Sequence, residues 1–320
     1  MTIQTPKPIH VIAVAGPTAA GKSAVALALA ERLGGEIVCA DSMQIYRGLD
    51  IGTAKPTPEE RARVPHHMCD VADPGERYSV ARYLAEAAEA VRDIARRGRV
   101  PILCGGTGQY ISGFTRGLRF SGPPGDESLR AAIAAELEQK GPRALLDEIA
   151  AADPEYAATM HERDTKRMVR AVELLRTAGY TIPRQNELSK PKTKEFLINL
   201  AIINCDDRKM LYNRIEQRAG RMLARGLLEE ARAVYQNRER FLTAAQAIGY
   251  KEFFPYFEDA AALEECVCRL KQATRNYAKR QLTWFRAETE AAWYSADHDP
   301  PGWIAEKIEK NIEERKGATR

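Results

Sequence analysis

Apolar and polar positions alternate in two patterns over the first third of this chain. Short apolar runs at Ile9–Ala15, Glu36–Ala40 and Val100–Cys104 are separated by stretches with apolar residues three and four apart, at Ser23–Leu33 and Val80–Arg97. Runs apolar on both faces and separated by helices predict strands of a parallel sheet covered on both sides. A further run, Phe196–Asn204, predicts another strand of the same sheet. Between them the pattern changes. Ser121-Gly-Pro-Pro-Gly125 breaks the chain, and residues 126–179 then read almost wholly helical, interrupted at Gly141-Pro142 and Asp153-Pro154. Ser189 to Lys194 closes that stretch, and after residue 205 the chain is again mainly helical.

The first run ends in Gly16-Pro17-Thr18-Ala19-Ala20-Gly21-Lys22-Ser23 and passes directly into a helical pattern. Strand, glycine loop and helix are the context in which G-x-x-x-x-G-K-[ST] cradles phosphate. Successive backbone N–H groups point at the anion, and the helix N-terminus adds partial positive charge. Lys22 adds a full charge, and the Ser23 hydroxyl is placed to ligate Mg²⁺. The motif leaves open which phosphate is held. The fold class that follows is α/β, a P-loop NTPase-like parallel sheet flanked by helices. Its core is expected over residues 1–120 and 196–320, with a helical insertion domain over 121–195.

Two more strands end in residues that carry chemistry. The second is followed by Asp41-Ser42-Met43-Gln44, and in an open parallel sheet that end faces the crevice of the phosphate loop. Asp41 therefore lies across from Lys22 in this reading, although an aspartate before serine also serves as a turn or helix-cap residue. The third strand runs into Gly105-Gly106-Thr107-Gly108, whose glycines permit close backbone approach to a ligand or a tight turn into the next helix.

Composition narrows the setting. A net charge of +4 over 320 residues makes nucleic-acid binding a matter of local clustering. Arg269 to Arg286 supplies it, with six basic residues and no acidic one. On a helix Lys271, Arg275, Lys279 and Arg286 share a face, while Leu270, Tyr277 and Trp284 form a stripe at heptad spacing. A solvated face over a core stripe would give that pattern too; the lack of compensating acid favours a track for a phosphate backbone. The cysteines at 39, 69, 104, 205, 266 and 268 read as reduced, buried thiols, and Cys266-x-Cys268 as helix packing. Adjacent His66 and His67 point apart and do not make a metal site. With no long apolar stretch and no signal pattern, a cytoplasmic protein that does not engage a membrane is expected.

The phosphate loop, the string Asp41–Pro56, Pro65-His-His67, Gly105–Gly108, Arg167-Met-Val-Arg-Ala171, Gln246–Lys251 and Lys279–Arg286 together resemble the tRNA dimethylallyltransferases, or isopentenyltransferases. The likeness runs in order from about residue 9 to about residue 295. It implies transfer of a dimethylallyl group from its diphosphate to the exocyclic amine of the adenosine 3′ to the anticodon. It also implies a phosphate loop turned from nucleotide to prenyl diphosphate, and Mg²⁺ as cofactor. On the residues that match, Gly16 to Ser23 hold the diphosphate, Asp41 is the general base, and Thr107 and Arg130 take part in catalysis. The implied tRNA contacts are Asp41, Ser42, Met43 and Gln44; Lys166, Arg167, Met168, Val169 and Arg170; Gln246, Ala247, Ile248, Gly249, Tyr250 and Lys251; and Lys279, Arg280, Gln281, Leu282, Thr283, Trp284, Phe285 and Arg286. The insertion would grip the anticodon stem-loop, and one tRNA wrapped by a basic cleft suggests a monomer. Lys166 stands where the family usually has Gln, and Gln109 where it usually has Leu. The rival readings are a P-loop kinase acting on a small molecule or nucleotide, and a non-catalytic RNA-binding nucleotide switch.

Overall fold

The computed structural model describes residues 7–120, 126–191 and 193–318, so the breaker at 121–125 lies outside the described residues. In chain order the first elements are β1 (Ile9–Ala15), α1 (Lys22–Leu33), β2 (Gly35–Cys39), α2 (Pro58–Arg63), β3 (His66–His67), α3 (Val80–Arg96), β4 (Val100–Gly105) and α4 (Gly108–Thr115). Then follow α5 (Glu127–Lys140), α6 (Pro142–Ala152), α7 (Pro154–Ala158), α8 (Thr165–Ala178) and α9 (Ile182–Leu188). The chain closes with β5 (Phe196–Asn204), α10 (Arg208–Ala224), α11 (Leu227–Gln236), α12 (Phe254–Phe257), α13 (Leu263–Phe285), β6 (Ala292–Ser295) and α14 (Pro301–Ala318).

Among the described residues the sheet has six strands in the order β3-β2-β4-β1-β5-β6, every pair parallel. Val11 to Ala15 and Ile102 to Cys104 are buried, as strands covered on both faces require. Helices pack in two groups, α1 with α14 and α3 with α4. Each predicted strand is present within a residue or so of its expected limits. The edge strands β3 and β6 are two and four residues long and carry no pattern of their own.

Glycine sets how closely the strand ends approach. A Cβ on Gly105 would stand 2.0 Å from the Ala40 carbonyl oxygen, and one on Gly16 2.1 Å from that of Ile203. Both contacts are with backbone, so neither can yield to a side chain.

By contact the chain divides into two compact units, residues 1–117 with 193–320, and residues 118–192. The second unit is helical and has its own core of Ile133, Leu145, Ile149, Met168, Ala171 and Val172. Glu173 lies inside it at 1% exposure, with its carboxylate taken by Arg130 (2.8 Å) and Arg170 (2.7 Å). Burial opposes ionisation there, yet the two guanidiniums hold Glu173 below the usual carboxylate range.

The sheet edge is held by another buried acid. Glu36, 5% exposed on β2, pairs with Arg97 and with His67 Nε2 at 2.7 Å. The Arg97 hydrogen bond outweighs the burial and, helped by His67, brings its pKa down to about 2. A pKa lower in the folded than in the unfolded chain stabilises above the unfolded value and is lost as pH falls through the folded one. Glu36→Gln should therefore cost about 1–3 kcal/mol at neutral pH in urea denaturation. The gap from wild type should close between the ordinary value of 4.5 and about 2; a gap unchanged at low pH would contradict the linkage.

Candidate active site

Parallel strands place the loops after β1, β2 and β4 at one edge of the sheet. The first is Gly16–Gly21, in which Gly16, Ala19 and Gly21 have φ of 142°, 65° and 94°. This left-handed backbone delivers the chain into α1 at Lys22, with the Ala20 N–H turned back onto the Pro17 carbonyl at 3.3 Å. The Lys22 ammonium donates to the Pro17 carbonyl at 3.0 Å. Burial pushes its pKa down, opposed by Cys104 and Asp41 and reinforced by the Arg218 guanidinium.

Arg218 comes from α10 and had no motif to announce it. Burial lowers its pKa as well, with Asp41 acting against that. Among the described residues neither Lys22 nor Arg218 has a carboxylate within ion-pair distance. Two neighbouring half-buried cations that meet no carboxylate repel each other and are well suited to an anionic ligand.

Asp41 follows β2, half-buried. Its Oδ1 accepts the Met43 N–H at 2.9 Å, so it does form a turn. Its Oδ2 makes no hydrogen bond among the described residues, and the two readings of Asp41 are thus compatible. Thr107 ties this loop to the next: its hydroxyl accepts the Ser42 N–H (2.9 Å), and its own N–H donates to the Ala40 carbonyl (3.2 Å). Tyr277 of α13 lies against the pair, its phenol pushed up by burial and by the Asp41 charge, with Thr107 acting the other way.

The stretch 269–286 does more than offer charge. Gln281 is buried; its Oε1 accepts the Thr18 N–H at 2.8 Å and its Nε2 donates to the Gly106 carbonyl at 2.7 Å. It staples the phosphate loop to the loop after β4. Phe285 is fully buried and Leu282 half-buried. The acids missing from the local sequence come partly from elsewhere, since Arg275 pairs with Glu216 (2.9 Å) and Arg269 with Glu265 (2.6 Å). Lys279, Arg280 and Arg286 are exposed and make no ion pair among the described residues. Trp284 leaves the expected apolar stripe and is 43% exposed.

Other expected positions are partly structural. Gln44 donates its amide to the Thr53 and Ala54 carbonyls at 3.1 and 3.0 Å. That loop is held in turn by Glu230, whose carboxylate accepts the N–H groups of Asp50, Ile51 and Gly52 at 2.8–2.9 Å. Tyr250 is buried and donates to Glu230 at 2.8 Å; Ala247 and Gly249 are buried, Ile248 is half-buried, and Gln246 and Lys251 are exposed. Lys55, with its side chain 2% exposed, bonds Tyr46 O, Asp50 and Asp70 and closes the Asp41–Pro56 string on itself. In the helical unit Met168 is buried and Val169 half-buried, Arg130 and Arg170 are engaged by Glu173, and Lys166 and Arg167 are exposed.

One expectation needs correcting. Cys268 is exposed and Cys69 half-buried, so the thiols are not uniformly interior. Gln109, where the family usually has leucine, is exposed.

A parallel sheet with a glycine loop, a lysine–arginine couple and a carboxylate at its carboxyl end makes this a P-loop-like α/β protein built to bind phosphate. Residues 44–288 match the family model described as IPP transferase, and residues 9–65 that of isopentenyl transferase. A tRNA dimethylallyltransferase of Geobacillus thermodenitrificans is 42% identical, over 94% of each chain. One of Halorhodospira halophila is 44% identical over 90% of this chain and 93% of its own. Among solved structures, the full-length tRNA isopentenylpyrophosphate transferase of Bacillus halodurans superposes with a TM-score of 0.69 at 36% identity, covering 97% of this chain and all of that one. A eukaryotic dimethylallyltransferase described as acting on tRNA gives 0.77 at 28% identity, over 91% and 74%. The chain belongs to the tRNA dimethylallyltransferase family and is a prenyltransferase. That membership does not favour the kinase reading, and a transferase is not the non-catalytic nucleotide switch of the other reading. Among the described residues no helix is long and apolar enough to cross a membrane.

Thr107 tests how tightly the edge is stitched. Thr107→Val leaves the Ser42 N–H without its acceptor and should lower stability by about 1–3 kcal/mol. Thr107→Ser should restore most of that loss in thermal or urea unfolding. Equal losses in both variants would show that the hydroxyl contributes nothing.

Proposed function

We propose that this enzyme transfers the dimethylallyl group of dimethylallyl diphosphate to the exocyclic amine of the adenosine 3′ to the anticodon, position 37, in tRNA. The products are diphosphate and N(6)-dimethylallyladenosine. The observation that carries the reading is the half-buried pair Lys22 and Arg218, which meet no carboxylate among the described residues, set beside Asp41, whose Oδ2 makes no hydrogen bond among them. Two adjacent positive charges at the glycine loop suit a diphosphate.

As the allylic C–O bond stretches, its electron pair departs with the diphosphate and negative charge builds on the bridging oxygen. Lys22 and Arg218 stand beside the loop to neutralise that charge, Lys22 exchanging its contact with the Pro17 carbonyl for a phosphate oxygen. The adenine amine is too weak an acid to be ionised beforehand. Asp41 Oδ2 accepts a hydrogen bond from it and takes its proton as the C–N bond forms. Oδ1 meanwhile stays on Met43 and fixes the carboxylate plane. Tyr277 and Thr107 border the same space and help hold amine and carbon about 3–3.5 Å apart. Arg130, engaged with Glu173, enters this reading as a residue that orders the helical unit.

The Ser23 hydroxyl, exposed in the first turn of α1 and making no hydrogen bond among the described residues, fits one corner of a Mg²⁺ shell. No group of three or more acidic, histidine or cysteine ligands exists among the described residues, so substrate phosphate oxygens and water would complete it. When bound, the ion would neutralise phosphate charge.

The adenosine must be swung out of its loop to reach Asp41. Exposed Lys279, Arg280 and Arg286 are assigned to its flanking phosphates, Lys166 and Arg167 of the helical unit to the anticodon stem, and Gln44 to the extruded base. The enzyme works as a monomer in the cytoplasm in this reading.

Mass analysis of nucleosides from tRNA incubated with enzyme, Mg²⁺ and dimethylallyl diphosphate should reveal a prenylated adenosine. Its absence would refute the reaction. Asp41→Asn keeps the acceptor for Met43 and should leave tRNA affinity near wild type while kcat falls about 10²- to 10⁴-fold; wild-type-like turnover would exclude Asp41 as the base. Arg218→Gln should weaken pyrophosphate binding at least about tenfold by calorimetry, as expected for a charged hydrogen bond. Unchanged affinity would remove Arg218 from the donor site.

A further inference from the structure

The face of α13 turned toward α4 carries a pocket of about 850 Å³ lined by Arg116, Asn276, Lys279, Arg280, Thr283, Trp284, Ala287 and Glu288. Its most unusual wall is the Trp284 indole. A Cβ on Gly108 would lie 2.6, 2.6 and 2.7 Å from three atoms of that ring, so one face of the indole is seated flat on the Gly108 backbone. The indole N–H donates to Ser112 Oγ (2.7 Å), Ser112 donates to Glu288 (2.5 Å), and Glu288 accepts from Arg116 (3.1 Å). This chain locks the ring by its polar edge. A tryptophan that is 43% exposed yet clamped on one face and along one edge is a rigid aromatic surface turned toward open space.

The charge around it is one-sided. Lys279 and Arg280 are exposed without ion pairs among the described residues, and the one acid in the lining, Glu288, is already consumed by Ser112 and Arg116. A fixed π-surface beside uncompensated cations is how proteins hold unstacked bases and the phosphates between them. On the same helix, Tyr277 faces Asp41 seven residues earlier, about 10 Å along the axis. That span suits a nucleotide flanking the one at Asp41.

We infer that Trp284 is a stacking platform for a single unpaired base next to the modified adenosine, with Lys279 and Arg280 holding its phosphate. This rests on the tRNA-modifying reading above and deepens it. The platform explains why a base can leave the anticodon-loop stack: a neighbour's lost stacking is replaced on the indole.

The test uses the full-length enzyme with Trp293→Phe and Trp303→Phe, so that Trp284 alone emits. A short anticodon stem-loop RNA should quench that emission, and dimethylallyl diphosphate alone should not. In parallel, abasic nucleotides are placed singly along the loop, and RNA affinity is compared in wild type, Trp284→Phe and Trp284→Ala. One abasic position flanking the modified adenosine should weaken wild-type binding about 5- to 100-fold, the range for loss of one stacked base. Trp284→Ala should bind weakly and be insensitive to that same position, and Trp284→Phe should regain part of both. Quenching by the donor alone would overturn the platform and assign the pocket to the prenyl chain. Equal abasic penalties in wild type and Trp284→Ala would overturn it too. Failure of the wild-type enzyme to prenylate the intact stem-loop would instead bring down the parent reading.

Discussion

The parallel register of β1, β2 and β4, and the close approach of their carboxyl ends, is the constraint on which the rest depends. Strand pairing alone brings three loops to one edge. Their reactive groups become a site because the loops are fastened to one another: Ala40 N–H to Cys104 O at 2.7 Å, Ser42 N–H to Thr107, and Gln281 from Thr18 to Gly106. Each fastening uses a backbone group that would otherwise be unpaired, so leaving one unmade is expensive. The edge is rigid for that reason, and rigidity lets fixed dipoles act on a developing charge.

Charged groups drawn out of solvent around the sheet and in the helical unit include two contrasting kinds. Those that support the frame are paired: Glu36 with Arg97, Glu173 with Arg130 and Arg170, and Lys55 with Asp50 and Asp70. Removing one member of such a pair strands the other in a poor solvent for ions. Lys22 and Arg218 are of the other kind, half-buried and without a carboxylate in contact among the described residues. A fold gains nothing from that arrangement, whereas a diphosphate arriving between them would recover the cost. The contrast supports a donor site more strongly than the glycine motif does, since the motif serves many phosphates.

Much of the fold was legible in the chain. Apolar runs of five to nine residues between amphipathic helices can be buried on both faces in few ways, and β1, β2, β4 and β5 appear where the pattern put them. The edge strands escaped notice because two or four residues cannot express a period. Arg218 was hidden for a different reason: α10 is dense in arginines, and nothing local marks the one that turns toward Asp41. Gln281 looked like part of a basic track because its neighbours Lys279 and Arg280 are charged, yet a helix places residues one or two apart on different faces.

By itself the amino-acid sequence determined the sheet, the glycine loop at its edge, the helical character of residues 126–179 and the family to which the chain belongs. These follow from local periodicity and from motifs read over a few consecutive positions. Tertiary structure alone decided that α10 supplies the second cation, that Gln281 is a staple inside the site, that Glu230 holds the loop ordering Gln44, and that Trp284 lies flat on Gly108. Each of these joins residues far apart in the chain whose meeting depends on helix packing against strand ends. Their chemistry comes from burial and from who stands opposite, and neither is written at the position itself.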